Sequence, residues 1–172
     1  VVGQPSSALI PRGLLDKFIR DTISTNPDPF IYQYATAQGS IPFRETLATF
    51  LRATFMYSPT ITSDNLCVTF GNSHGLSIAL SSFTHPGDTI LVEEPTYFLS
   101  GQLMRDVHLN IVPCRVRDSE GMDMIEFEQL VIDHKPKCVY VNPIHQNPTG
   151  TCLSLVRRQK LLRLAHEYNF TI

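Results

Sequence analysis

Apolar positions in this chain follow two rhythms. Leu14, Leu15, Phe18, Ile19 and Ile23 recur at helical spacing behind Pro11, a residue that suits a helix first turn. Asn26-Pro27-Asp28-Pro29 should end that helix. Phe43, Leu47, Phe50, Leu51 and Phe55 form a second helical stripe, with Ser40 as its cap and Pro42 in its first turn. Val1 and Val2 read as the end of a strand, Gln4 to Ala8 as loop, and residues 32–39 as irregular. From Leu66 the rhythm changes, and short apolar runs alternate with amphipathic stretches. The pattern predicts strands at 66–70, 89–93, 109–116 and 137–141. It predicts helices at 73–83, 97–107, 122–134 and 154–168, with a turn at His85-Pro86-Gly87-Asp88. Phe170-Thr171-Ile172 begins one more strand. Near-continuous apolar strands joined by helices predict an α/β fold, its sheet mostly parallel and covered by helices on both faces.

This organisation separates an N-terminal helical segment, 1–60, from an alternating segment, 61–172. The alternation stops inside the last strand. Domain boundaries fall in exposed linkers, not in buried strands. The sequence therefore reads as a fragment of a longer protein, clipped at both ends.

Composition narrows the class. Of 172 residues, 42% are hydrophobic and 17% charged, which suits a globular protein with a real core. The net charge is −2, and Lys and Arg form no long run, so there is no footprint for nucleic acid or an anionic membrane. The apolar runs are too short to span a bilayer, and no signal or transit peptide is visible. Cys67, Cys114, Cys138 and Cys152 form no CxxC pair, which argues against zinc. Cys67, Cys114 and Cys138 lie in or beside predicted strands, so buried, reduced thiols and a reducing, cytoplasmic compartment are expected. The six histidines show no metal-ligand spacing.

Candidate chemistry sits at strand ends. Asn142-Pro143-Ile144-His145-Gln146-Asn147-Pro148-Thr149-Gly150 follows the strand at 137–141. Two Asn-Pro steps and a glycine should make a stiff loop that holds the Asn147 amide in one direction. Open α/β sheets bind ligands at that edge. Gly71, Asn72, Ser73 and His74 open a helix behind a strand. Free N–H groups and a partial positive charge suit such an end to phosphate, although a serine there also reads as a simple cap. Glu93-Glu94-Pro95-Thr96-Tyr97 is another strand-to-helix junction, with an aromatic ring over the edge. Gln33-Tyr34 precedes the helix that opens near Gly39 and Ser40.

In this order and spacing, these four groups resemble the class I/II aminotransferases, the fold-type-I pyridoxal-phosphate enzymes. The nearest likeness is to 2-aminoadipate and kynurenine transaminases. The resemblance runs from Gly3-Gln4-Pro5 to Phe170-Thr171-Ile172. It implies that Asn72, Ser73 and His74 cradle the cofactor phosphate and that Tyr97 stacks on the pyridine ring. It gives Asn147 a hydrogen bond to the ring hydroxyl oxygen, and Gly3 and Asn147 places near the substrate. Tyr34 would reach the phosphate of a neighbouring subunit, which implies a homodimer. The substrates implied are an amino acid and a 2-oxo acid, with no metal. Asn72 stands where many members have Ser, a change that spares the backbone donors.

The family's Asp at the ring nitrogen, its Schiff-base lysine and its carboxylate-binding Arg lie beyond Ile172. Lys17 and Lys160 sit on helix faces, and Lys135 and Lys137 flank Pro136 at the far end of a strand. None is placed to replace the lysine, so the segment alone is expected to be inactive. A C–S lyase of the same fold, or an aminotransferase-like sensing domain of a transcriptional regulator, would use the same four elements.

Overall fold

The computed structural model describes residues 6–25, 32–55 and 60–172. Two units divide the chain, Val1–Val68 and Thr69–Ile172. The expected strand at Val1 and Val2, the breaker at 26–29 and the candidate Gly3 lie outside the described residues.

In the first unit, helix α1 runs from Arg12 to Thr25 and helix α2 from Ile41 to Phe55. The apolar stripe of α1 is real but uncovered: Phe18, Ile19 and Ile23 are each more than half exposed. On α2 the buried residues are Ala48 and Arg44. The Arg44 guanidinium donates to the Gly39 carbonyl at 3.3 Å and to the Ser63 carbonyl, so a buried cation is satisfied by backbone oxygens. Gly39 has φ +96°, and a Cβ there would sit 2.7 Å from the Val68 Cβ. Both facts require glycine at this approach.

Residues 66–70 do not form the expected strand. Val68 N–H donates to the Gln38 carbonyl at 2.9 Å, but no ladder follows, and Phe70 is 94% exposed. An apolar run becomes a strand only when a neighbour supplies a ladder of hydrogen bonds, and none of the described residues does so here. The burial expected for Cys67 fails for the same reason: it is exposed, whereas Cys114 and Cys138 are buried.

The second unit carries a mostly parallel sheet. Its strands are β1 (Thr89–Glu94), β2 (Asn110–Asp118), β3 (Gly121–Met122) and β4 (Cys138–Tyr140). Their order is β3-β2-β1-β4, with β1 parallel to both β2 and β4. Thr171 bridges Cys138 in parallel, and its carbonyl accepts the Val139 N–H at 2.8 Å, so the last residues open a strand position beside β4. β3 turns back antiparallel to β2, which the helical reading of 122–134 did not anticipate. Helix α5 instead starts at Met124 and runs to His134, because the Asp123 carboxylate caps it through Ile125 N–H and Glu126 N–H.

Helices α3 (Gly71–Phe83), α4 (Phe98–Asp106) and α6 (Leu155–Tyr168) complete the unit. Side chains alternate across β1, as a strand requires. Ile90 and Val92 join Leu80 and Met104 in a core under α3 and α4. Leu91 joins Phe127, Val131, Leu161 and Leu164 in a second core under α5 and α6. Helices therefore cover both faces, as expected. Full burial of a side chain such as Phe127 contributes about 1.5–3 kcal/mol. Among the described residues, no helix is long and apolar enough to cross a membrane.

Candidate functional site

The sheet places three of the expected elements at its C-terminal edge. Tyr97 follows the end of β1, and the Asn147 loop follows the end of β4. Helix α3 enters β1 through the short connection 84–88, so its 13 residues run back about 20 Å along the sheet. Its Gly71 end therefore lies toward the edge where β1 and β4 finish. Leu76 and Tyr140, which pack on the same core, fix that side of the helix to the sheet.

At the start of α3, Gly71 has φ +82°. Gly71, Asn72 and Ser73 are its first three residues, so their N–H groups have no carbonyl partner within the helix. His74 has a different local role. Its Nδ1 accepts the Phe70 N–H at 3.1 Å, and its ring stacks on Phe70 with centroids 5.4 Å apart. This bond makes the imidazole a cap for the helix and leaves Nε2 as the protonated nitrogen in the neutral form.

Tyr97 is half-buried and meets Phe98 edge-on at 5.2 Å. The Glu94–Pro95 and Asn147–Pro148 peptide bonds are cis. Beside Tyr97, the Thr96 hydroxyl oxygen is buried without a hydrogen-bond partner. Asn147 is exposed, with its amide free to meet a ligand. Tyr34, in the first unit, is 98% exposed.

The loop's stiffness has a source that the prolines did not reveal. Gln146 is 2% exposed, and all its polar atoms are engaged. Its Nε2 donates to the Pro95 carbonyl at 2.6 Å, and its Oε1 accepts from Thr149 N–H at 2.9 Å and Thr149 Oγ1 at 2.6 Å. Its backbone closes the loop through Thr151 and Gly150. Gly150 sits at φ +74°, the permissive conformation expected of it. Lower in the loop, Arg158 donates to the carbonyls of Leu153 and Pro143.

Glu93 is the second unanticipated residue. It is 1% exposed, and its Oε2 accepts the Asn142 N–H at 2.8 Å. Burial pushes its carboxyl above the ordinary range, while the bond from Asn142 and the nearby Gln146 amide pull back toward the charged form. Burial also raises the Cys114 thiol, opposite Glu93 on β2, to about 12. An acid continuing the apolar run Ile90-Leu91-Val92 was the visible sign of Glu93. Gln146 carried no comparable signal.

The donor set is unpaired helix N–H groups, an aromatic face and a free amide. It fits a ligand with a phosphate dianion, a flat ring and an acceptor oxygen on that ring. A buried, unpaired Thr96 hydroxyl also suits a site whose hydrogen bonds a ligand completes. An apolar groove of about 410 Å³, lined by Leu76, Leu80, Phe83, Tyr140 and Ile172, lies beside β4 and contains none of these donors. Lys17 pairs with Asp21 at 2.8 Å, and Lys160 with Glu128 at 2.6 Å. Lys135 and Lys137 precede β4, at the opposite edge of the sheet.

A mostly parallel α/β sheet with polar loops at its C-terminal edge is the frame of a ligand-binding domain. The chain belongs to the aminotransferase class I and II family, whose model matches residues 14–172. It is 30% identical over 175 residues to aromatic-amino-acid aminotransferase 1 of Thermococcus litoralis, covering 99% of this chain and 41% of that protein. It is 30% identical over 129 residues to the mitochondrial kynurenine/alpha-aminoadipate aminotransferase of Bos taurus, covering 69% and 30%. Its fold matches the Pyrococcus horikoshii kynurenine aminotransferase structure with TM-score 0.87 and 29% identity, over 99% of this chain and 42% of that one. The chain thus spans about two fifths of the length of the relatives it matches across almost its whole extent.

Proposed function

We propose that the protein carrying this chain is a pyridoxal-phosphate-dependent aminotransferase that moves an amino group from an amino acid to a 2-oxo acid. The observation that carries the reading is the convergence of the α3 N-terminus, Tyr97 and Asn147 at one sheet edge, in a chain of this family. Pyridoxal phosphate, when bound, supplies the electron sink for breaking a bond at the amino acid's α-carbon.

The chain's own residues bind and orient. N–H groups of Gly71, Asn72 and Ser73 hold the phosphate, aided by the partial positive charge of the helix end. Nε2–H of His74, directed by the Phe70 bond, is a further donor for it. Tyr97 packs its face on the pyridine ring, contributing ~0.5–1.5 kcal/mol beyond area burial. The Asn147 amide donates to the ring oxygen and favours its anionic form.

No lysine of this chain belongs to the set, so the covalent lysine is supplied from elsewhere in the protein. The same reading makes the protein a cytoplasmic homodimer serving amino-acid biosynthesis, with Tyr34 and Gly3 as further contacts to cofactor and substrate. The exposed Tyr34 ring supports the dimer contact. Borohydride reduction of the complete protein with pyridoxal phosphate, followed by peptide mapping, tests the reading. A pyridoxyl-lysine outside these 172 residues is expected. A label on Lys137, or on no lysine, would overturn it.

A further inference from the structure

Gln146 and Glu93 are buried polar side chains that touch neither solvent nor the open part of the site. Both join the same two loops. Glu93, near the end of β1, accepts the backbone N–H of Asn142 at the root of the β4 loop. Gln146, at the tip of that loop, donates to the Pro95 carbonyl one residue past the end of β1. The Gln146 amide also lies near enough to Glu93 to favour its carboxylate. One attachment would fix a distance between the loops and leave rotation free. Two attachments, at root and tip, fix the angle as well.

The residues so held matter for the proposed site. Pro95 is two residues before Tyr97, and Gln146 is next to Asn147. We propose that Gln146 and Glu93 are positioning residues, a buried clamp that sets the Tyr97 ring and the Asn147 amide at one separation and angle. The inference rests on the aminotransferase reading for its purpose, but the clamp itself is a property of the loops. A ring stacked by one group and hydrogen-bonded in its plane by another needs both at once. A small tilt between the loops would satisfy one and lose the other.

The test uses the complete protein and four variants. Gln146→Met keeps the length and removes all three side-chain bonds. Gln146→Glu keeps the acceptor for Thr149 but sets a carboxylate against Glu93 and the Pro95 carbonyl. Glu93→Gln keeps an acceptor for Asn142. The double variant Glu93→Gln/Gln146→Glu exchanges carboxylate and amide and returns the pair to a single carboxylate.

Three readouts are taken: hydrogen exchange at Asn142 and Thr149 in cofactor-free protein, induced circular dichroism of bound pyridoxal phosphate, and its Kd. Gln146→Met is expected to speed exchange at Thr149, weaken the induced signal and raise Kd roughly tenfold, the scale of one lost buried hydrogen bond. Gln146→Glu should do the same, and the exchange double variant should recover much of the signal. Unchanged exchange in Gln146→Met would overturn the clamp. Faster exchange with unchanged dichroism and Kd would overturn its role in positioning. A wild-type protein with no induced signal would overturn the aminotransferase reading, and the exchange data would then show the clamp to be a loop brace alone.

Discussion

The Glu93 carboxylate accepts the Asn142 backbone N–H at 2.8 Å while only 1% of the residue is exposed. Burial is the larger influence on this group and raises its pKa. A raised folded-state value means that its contribution to stability is fully present below the unfolded value, near pH 4.5. That contribution is lost as pH rises through the folded value. Glu93→Gln removes the titration and keeps an acceptor for Asn142. The variant is therefore expected to gain stability relative to wild type as pH rises from 4.5, levelling once wild-type Glu93 is fully ionised. Urea midpoints at pH 4 and pH 8 check this. A difference that is flat with pH would show that burial of the charge is not felt.

Asp123 has the opposite sign. Its carboxylate accepts Glu126 N–H and Ile125 N–H at the start of α5, and these bonds hold it below the ordinary carboxylate range. Its stabilisation is present above the unfolded value and is lost as pH falls through the lower folded value. Asp123→Ala is expected to cost about 1 kcal/mol at neutral pH, the usual loss for an N-cap. Asp123→Asn should cost less, because an amide oxygen still caps and the ion pair with Arg117 is largely solvent-screened. Thermal unfolding at pH 7 and pH 3 should show the Ala penalty shrinking at the lower pH.

These two acids mark how far the sequence could be read. Alternation of apolar strands and amphipathic helices exposed the sheet, both helical layers and the edge that carries Asn147, because burial on both faces leaves a direct trace in residue type. The segment at 66–70 has the same trace and no partner strand among the described residues, and pairing is not written in one segment's own residues. The short β3 was hidden within an apolar stretch next to a helix, and the Asp123 cap decided where α5 begins. For the proposed site, Asn72, Ser73, Tyr97 and Asn147 stood out by their positions at strand ends, and the family resemblance supplied the roles proposed for them. The clamp was not, because Gln146 reaches Pro95 across 51 positions of sequence. Only folding brings those two loops together.

Thiol accessibility gives a direct check on the fold. Cys67 is exposed, Cys152 is intermediate, and Cys114 and Cys138 are buried. Burial pushes the Cys114 thiol to about 12 and raises Cys138 as well, so little thiolate exists at neutral pH. Titration with a chromogenic disulfide at pH 8 is expected to label Cys67 first and Cys152 more slowly. Cys114 and Cys138 should react only after denaturant is added. Early labelling of Cys114 would contradict the packing of β2 against α5.

Gly39 tests the first unit by itself. Its φ of +96° is costly for any residue with a Cβ, and the added atom would lie 2.7 Å from the Val68 Cβ. The Val68 backbone is tied to Gln38 at 2.9 Å, so it cannot withdraw without losing that bond. Gly39→Ala is expected to destabilise by roughly 1–3 kcal/mol. A matched Gly13→Ala control lies within α1, where no atom is within 4 Å of the new Cβ. That control should be neutral or stabilising, since alanine is the better helix former by about 1 kcal/mol. Equal effects of the two changes in chemical denaturation would refute the close approach at Val68.

Asn147 and Tyr97 separate two contributions to cofactor binding on the proposed reading. Tyr97→Phe keeps the stacking face and should leave the Kd for pyridoxal phosphate within about twofold, whereas Tyr97→Ala loses it and should raise Kd up to roughly tenfold. Asn147→Ala leaves stacking intact and removes the donor to the ring oxygen. Losing one hydrogen bond to a buried, charged acceptor costs about 1–3 kcal/mol. The loss falls on the anionic form of that oxygen, so the pH midpoint of the bound cofactor's absorbance should rise in the variant. Asn147 is exposed and Gln146 carries the loop's internal bonds, so the unfolding midpoint of the cofactor-free protein should stay unchanged. A midpoint of absorbance that does not move would remove Asn147 from the site, and a large fall in apo stability would make it a structural residue instead.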